Sequence, residues 1–169
     1  MNTTAGGSSE PNNAAHDHEK YCVFEHGGST FAILANAIRE VGLRPAHARV
    51  PDAPPMLAGV VHLRNEFLPL LRDPEAFEPE LPCGPRESQV VIVNGENGPW
   101  GLLVDRVIGL LPLDVSLSSG ATGNRGLAAA VMGSATLEHR IIRVLDERSL
   151  HRSISEQLNR YWAQLNTSA

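Results

Sequence analysis

Two stretches of this chain share an outline, and that shared outline limits what the chain can fold into. Residues 59–71 read GVVHLRNEFLPLL and residues 133–145 read GSATLEHRIIRVL. In each, two apolar arms flank a polar knot, Arg64-Asn65-Glu66 in the first and Glu138-His139-Arg140 in the second. Laid together without gaps, Gly59 falls on Gly133, Leu63 on Leu137, Phe67 on Ile141, Leu68 on Ile142, Leu70 on Val144 and Leu71 on Leu145. Apolar arms around a tight polar turn are the pattern of a β-hairpin.

A second match lies upstream of each. Tyr21 to Phe24 is a β-rich run, His26-Gly27-Gly28 supplies a turn, and Phe31 to Leu34 returns. Later, VVIV (90–93), the turn formers Asn94 to Gly98, and Trp100 to Val104 repeat the plan. Phe31 falls on Trp100, Ile33 on Leu102, Leu34 on Leu103, Asn36 on Asp105, Ile38 on Val107 and Val41 on Leu110. The stretch Ala35 to Val41 reads either as a short helical turn or as a continuing strand. Two matches in the same order imply an internal duplication, each copy being two hairpins joined by a connector. The expected fold is all-β, two similar small barrels, because closing a sheet on itself removes its exposed edges. With 169 residues, 42% hydrophobic but only 5% aromatic, the chain can fill one ordinary domain or two very small barrels sharing an aliphatic core.

Residues 1–18 are small and polar, and are expected to form a disordered tail. Arg72 to Ser88 is a Pro-rich, acidic connector; Ser116 to Gly126 is rich in glycine and serine and reads as a mobile link. From Asp146 the pattern changes. Leu150, Ile154, Leu158, Trp162 and Leu165 recur at helical spacing, with Asp146 placed to cap the first turn, so a helix is expected over 146–165. So short a helix is marginal alone in water and must dock on a barrel of its own chain.

The chemistry implied is spare. Net charge is −5 and the basic residues are scattered, so no phosphate-backbone footprint exists. Cys22 and Cys83 cannot make a disulfide framework and read as reduced thiols. The N-terminus lacks the basic start and apolar segment of a signal peptide, and no apolar run reaches membrane-spanning length; a cytoplasmic protein is expected. The seven histidines show no metal-ligand spacing. Lys20 is the only lysine, which rules out a P-loop, and Ser118-Ser119-Gly120 lacks the frame of a nucleophile elbow. Cys22 has no evident general base, and Asp105 and Asp114 are a weak case for paired carboxylates. No metal, cofactor or catalytic residue is expected. The competing reading is a small-ligand or metal-dependent enzyme on a β-barrel scaffold, which needs a deep pocket with convergent polar groups.

Extended leftwards, the first hairpin reads VPDAPPMLAGVVHLRNEFLPLL over residues 50–71. This resembles the signature of the CheW-like family of bacterial chemotaxis coupling proteins: a Pro-x-x-Pro segment (Pro51, Pro54), a glycine (Gly59), an apolar strand, Leu63-Arg64, and a strand containing Pro69. Glu40-Val41 upstream, Gly101, Val104-Asp105 and Val107 downstream, and Leu145-Asp146 with Leu150 at the end fit the same succession, over about residues 19–151. One departure is Asn65, where the family's Leu-Arg-Gly has glycine; asparagine tolerates left-handed backbone better than most residues. The resemblance implies two SH3-like five-stranded barrels and a non-catalytic adaptor. Such an adaptor bridges chemoreceptor cytoplasmic tips to the regulatory domain of a CheA-type histidine kinase. One barrel would hold the kinase, and the groove between barrels would take the receptor helix hairpin. Family contact positions fall on Ile38, Glu40, Gly59, Arg64, Val107 and Gly133. Arg64 and Glu40 are expected to pair, and at least one of Ile38 and Val107 to be partly exposed beside the groove.

Overall fold

The computed structural model describes residues 19–73, 89–118 and 126–167, with side chains to Gln164. Expectations that fall on residues 1–18, on most of the two connectors, on Cys83 and on the Leu165 side chain lie outside these. Eleven strands and one long helix make up the described chain. They are β1 (Lys20–His26), β2 (Ser29–Leu34), β3 (Ile38–Leu43), β4 (Leu57–Leu63), β5 (Glu66–Leu71), β6 (Gln89–Gly95), β7 (Gly98–Val104), β8 (Arg106–Pro112), β9 (Ser116–Leu117), β10 (Val131–Leu137), β11 (Arg140–Leu145) and α1 (Glu147–Thr167). Both readings of the stretch after Leu34 hold in part: Ala35–Ala37 is a 3-10 turn, and the strand resumes at Ile38.

The duplication is carried through in detail. β6 begins 69 residues after β1 (Gln89 against Lys20), and β10 begins 74 after β4 (Val131 against Leu57). The irregularities repeat as well. The ladder of β3 with β6 slips between Ile38 and Glu40, and that of β8 with β1 skips Ile108, which stands where Arg39 stands in the first copy. β4 and β10 slip at the equivalent Ala58 and Met132.

The copies, however, are not the barrels. One sheet runs β8-β1-β2-β11-β10-β9 and the other β3-β6-β7-β5-β4. The opening hairpin β1–β2 therefore sits beside the closing hairpin of the second copy, through the parallel pairing of β2 with β11. The hairpin β6–β7 sits beside the closing hairpin of the first copy, through β7 and β5. β3 and β8 cross over likewise. Each barrel-like subdomain thus takes one hairpin from one copy and the rest from the other. Pairing across copies satisfies strand edges that a lone copy would leave open. The first barrel also carries a sixth strand, the short β9, beyond the five expected.

Burial explains why β1 and β6 are apolar without alternation. Tyr21 and Val23 fill the interior of the first barrel with Ala32, Ala135, Ile142 and Val144. Cys22 and Phe24 point the other way, into a larger cluster that also holds Phe31, Ile33, Val91, Val93, Trp100 and Leu102. In the second barrel Val90 and Ile92 face inward with Val61, Leu68, Leu70 and Leu103. Both faces of these strands are buried, and a continuous apolar run is the result. The largest cluster lies between the two barrels and is shared by them.

α1 caps this shared cluster. Asp146 accepts a hydrogen bond from the Ser149 backbone N–H at 2.9 Å, closing the first turn as its position in the sequence implied. Leu150 and Ile154 are fully buried in the shared core, against the 3-10 turn Gly126–Ala130 and β6. Further along the stripe contact thins. Leu158 packs at the edge of the cluster, and Trp162 is half-exposed, its ring edge-on to Tyr161 at 5.7 Å. Burial fades at Trp162 because a helix of 21 residues, about 31 Å long, outruns the core surface it docks on.

Stability should divide along that line. Ile154→Ala is expected to lower the unfolding free energy by about 2–5 kcal/mol, measured by urea titration, with Trp162→Ala costing clearly less. Equal losses would mean that the far half of the helix is anchored as firmly as the near half.

Candidate functional site

The two closing hairpins turn on residues with positive φ: Arg64 (48°) and Asn65 (66°), and in the second copy Glu138 (46°) and His139 (66°). Two central residues with left-handed backbone are the requirement of the two-residue turn whose twist matches the flanking strands. Asn65 therefore adopts the geometry that the family's glycine would supply, and the turn survives the departure. It also aims Arg64 outward, with its side chain 69% exposed.

Arg64 Nη2 lies 2.7 Å from Glu40 Oε2, so the expected pair is present. A second pair lies beside it, with Arg39 Nη1 donating to Glu66 Oε2. Arg39 and Glu40 are consecutive, and regular strand alternation would send them to opposite faces. The bulge in β3 at this point is what lets both reach one hairpin. The two crossed pairs fasten β3, one edge of the second sheet, to the tip of β4–β5 at its other edge. The Arg39–Glu66 pair was not foreseen. Its only signal in the sequence was two opposite charges next to residues already singled out.

Ile38 and Val107 stand at equivalent places beside the two bulges, paired with Val93 and Phe24. Both are partly exposed and both pack against the shared core, so both lie where the barrels meet. The Val107 N–H donates to Gln89 Oε1, which holds the start of β8 against β6.

Gly59 and Gly133 are buried rather than displayed. A Cβ on Gly59 would lie 2.2 Å from the Ala48 carbonyl oxygen. That oxygen accepts from Val60 N–H in a bridge covering the free edge of β4. A Cβ on Gly133 would lie 2.6 Å from the Ser116 carbonyl, where β9 crosses β10. Each glycine is the place where a preceding segment passes over the closing hairpin.

Several outward positions are apolar. Val41 and Leu43 extend along β3 beyond Glu40, Phe67 follows Glu66, and Ile108 and Leu110 lie along β8. Phe67 is 76% exposed with its ring 4.9 Å from that of His62. Alternation would have found it, since Leu68 and Leu70 face inward and Phe67 and Pro69 must face out.

The candidates for chemistry do not converge. Asp105 accepts from the Gly27 N–H at 2.9 Å, which fixes the β1–β2 turn, while Asp114 is exposed. Burial pushes the Cys22 thiol up to about 11, away from the thiolate a nucleophile needs. Among the described residues, no group of three or more His, Cys, Asp or Glu could hold a metal ion.

Comparison with known proteins agrees with this architecture. No curated protein matches the chain. The crystal structure of the scaffolding protein TtCheW from Thermoanaerobacter tengcongensis superposes with a TM-score of 0.67 at 19% sequence identity, covering 84% of this chain and 93% of that one. At that identity the likeness speaks for the fold. The CheW-like domain itself matches residues 20–155, most of the chain, and spans both barrels and the start of α1. The protein belongs to the CheW-like domain family.

Proposed function

We propose that this chain is a non-catalytic adaptor that couples chemoreceptors to a CheA-type histidine kinase in a chemosensory system, working in the cytoplasm. Family membership supports the class of function. The observation that carries the reading is the surface around β3, where Ile38, the Glu40–Arg64 pair and exposed apolar residues lie together. An apolar patch rimmed by charge is what a protein-binding surface offers, with affinity concentrated in a few residues. Arg64 and Glu40 sit on this rim, Ile38 and Val107 at the junction of the barrels, and Gly59 and Gly133 let the covering segments lie close. The receptor tip would take the junction and the kinase regulatory domain one barrel. The enzyme reading has no comparable support, since the carboxylates considered for it are spent on a turn or face solvent.

The ion pair gives the test. An exposed pair is worth about 0.2–1 kcal/mol to folding, so Arg64→Glu should leave the melting temperature nearly unchanged. Its binding to a cognate kinase regulatory domain or receptor fragment, by titration calorimetry, should weaken at least tenfold. Exchanging both charges, Glu40→Arg with Arg64→Glu, should restore the pair without restoring binding. A variant that loses stability and affinity in step would show that Arg64 acts only within the fold.

Gly59→Ala should act differently. The added methyl meets backbone, which cannot swing aside, so a loss of about 1–3 kcal/mol in stability is expected. Weakened binding would follow from displacement of the segment around Ala48, visible as altered amide shifts there. Unchanged stability would show that this segment is free to lift away.

A further inference from the structure

The loop that leaves β3 after Leu43 and enters β4 at Leu57 is held as a rigid cup. Ala48 and Val60 exchange backbone hydrogen bonds at 2.9 and 2.8 Å. The Leu57 N–H donates to the Pro54 carbonyl, and the Arg72 N–H to the Met56 carbonyl, each at 2.9 Å. Pro45, Pro51, Pro54 and Pro55 fix φ at four positions, and Asp52 turns through left-handed backbone, with φ 53°. The His47 ring is tied through Nδ1 to the Pro45 carbonyl oxygen at 3.0 Å.

The cup encloses about 350 Å³, and polar atoms make up most of its open surface. Its charge is one-sided. Arg44 follows β3, Arg49 lies in the loop, and Arg72 follows β5, half-buried. Asp52 is the one carboxylate among the described lining residues. Elsewhere the chain matches its arginines to acids: Arg39, Arg64, Arg106, Arg140 and Arg148 each lie beside a glutamate. Three guanidinium groups drawn from separate segments onto one rigid loop repel one another. In a chain of net charge −5 that gathering is not a by-product of basic composition. A bound anion offsets the repulsion. The sequence hides the cluster because Arg44 and Arg72 stand 28 positions apart.

Charge, geometry and size narrow the anion. Three guanidinium groups against one carboxylate are matched by a dianion better than by a single carboxylate, and a phosphate monoester carries about −1.5 to −2 at pH 7. Its oxygens suit the paired N–H donors of arginine. The volume is at the low end of small-ligand sites, about 300–1,000 Å³, so a small molecule fits better than a polymer segment. Val50 and Pro55 add an apolar wall for a short carbon skeleton. The cup opens at the start of β4, whereas Arg64 follows its end, six residue steps or about 20 Å along the strand.

We propose that Arg44, Arg49 and Arg72 form a binding site for the phosphoryl group of a small phosphate monoester. The site is separate from the Glu40–Arg64 pair and does not rest on the adaptor reading.

The probe is glycerol 3-phosphate, titrated into the full chain by calorimetry at about 0.15 M salt, where weak long-range attraction is screened. Acetate, an end-blocked phosphoserine peptide and pentaglutamate are titrated beside it. Glycerol 3-phosphate should bind saturably, at least tenfold more tightly than acetate and no more weakly than either peptide. Arg44→Gln combined with Arg49→Gln should weaken it at least tenfold with an unchanged melting temperature. Should that variant fold poorly, the unaltered protein still decides: the Nε–H signals of Arg44, Arg49 and Arg72 and the backbone amides of His47 and Ala53 must shift together as the ester is added. Absence of saturable binding, acetate binding as tightly, tighter binding of either peptide, an affinity unchanged by the double substitution, or shifts confined to other arginines would each overturn the proposal.

Discussion

The structure depends on burying both faces of β1 and β6. One face of each closes a barrel interior, and the other meets its counterpart across the shared cluster of Cys22, Phe24, Val91, Val93, Trp100 and Leu102. Neither barrel is large enough to stabilise itself from its own interior alone, since so small a fold buries too little surface. The shared cluster supplies the remainder, and α1 extends it through Leu150 and Ile154. The exchange of strands between copies reinforces this dependence. Every hairpin of one copy lies in a ladder with the other, so the halves are joined by backbone hydrogen bonds as well as by apolar contact.

An approximate twofold relation follows from that exchange, and it reaches fine detail. Bulges, left-handed turns and crossed-over glycines fall at equivalent positions in both copies. The surface charges do not follow it. In the second barrel two pairs join β3 to its hairpin, whereas in the first Glu25 alone holds both Arg106, at 3.1 Å, and Arg140, at 3.3 Å. Arg39 and Glu40 of the first copy stand where the second has Ile108 and Gly109. The backbone plan thus constrains both halves alike, while side chains at the same bulge have diverged. A symmetric scaffold presenting two unlike faces would suit the two unlike partners proposed for it.

Much of this was legible in the sequence because β-hairpins write their register locally. The closing hairpins 59–71 and 133–145, the turn positions, the capping role of Asp146 and the pairing of Arg64 with Glu40 all follow from short-range spacing or from the family resemblance. What was not legible is long-range. Gapless matching shows that two segments are alike and is silent on which hairpin pairs with which, because β2 with β11 and β5 with β7 are parallel partners distant in sequence. The bulge at Arg39 was also hidden, since an added residue leaves no trace in an apolar pattern this short. The extent of burial along the stripe of α1 was hidden for a related reason. Periodicity marks the face that can be buried, but the extent of the surface beneath it decides how far burial goes, and at Trp162 that surface has ended.

The same irregularities that escaped the sequence build the candidate contact surface. A regular β3 would alternate Arg39 and Glu40 across the sheet and leave the hairpin tip at most one partner. The extra residue places both on the hairpin side, and the left-handed turn carries Arg64 to meet them. The edge of the second sheet is thereby closed by charge where backbone pairing ends. Closing an edge with ion pairs has a consequence that further strand pairing would not have. Exposed pairs contribute little to folding, so they can be exchanged for contacts with a partner without loosening the core. The barrel supplies stability through its buried strands, and its seam remains chemically available for binding.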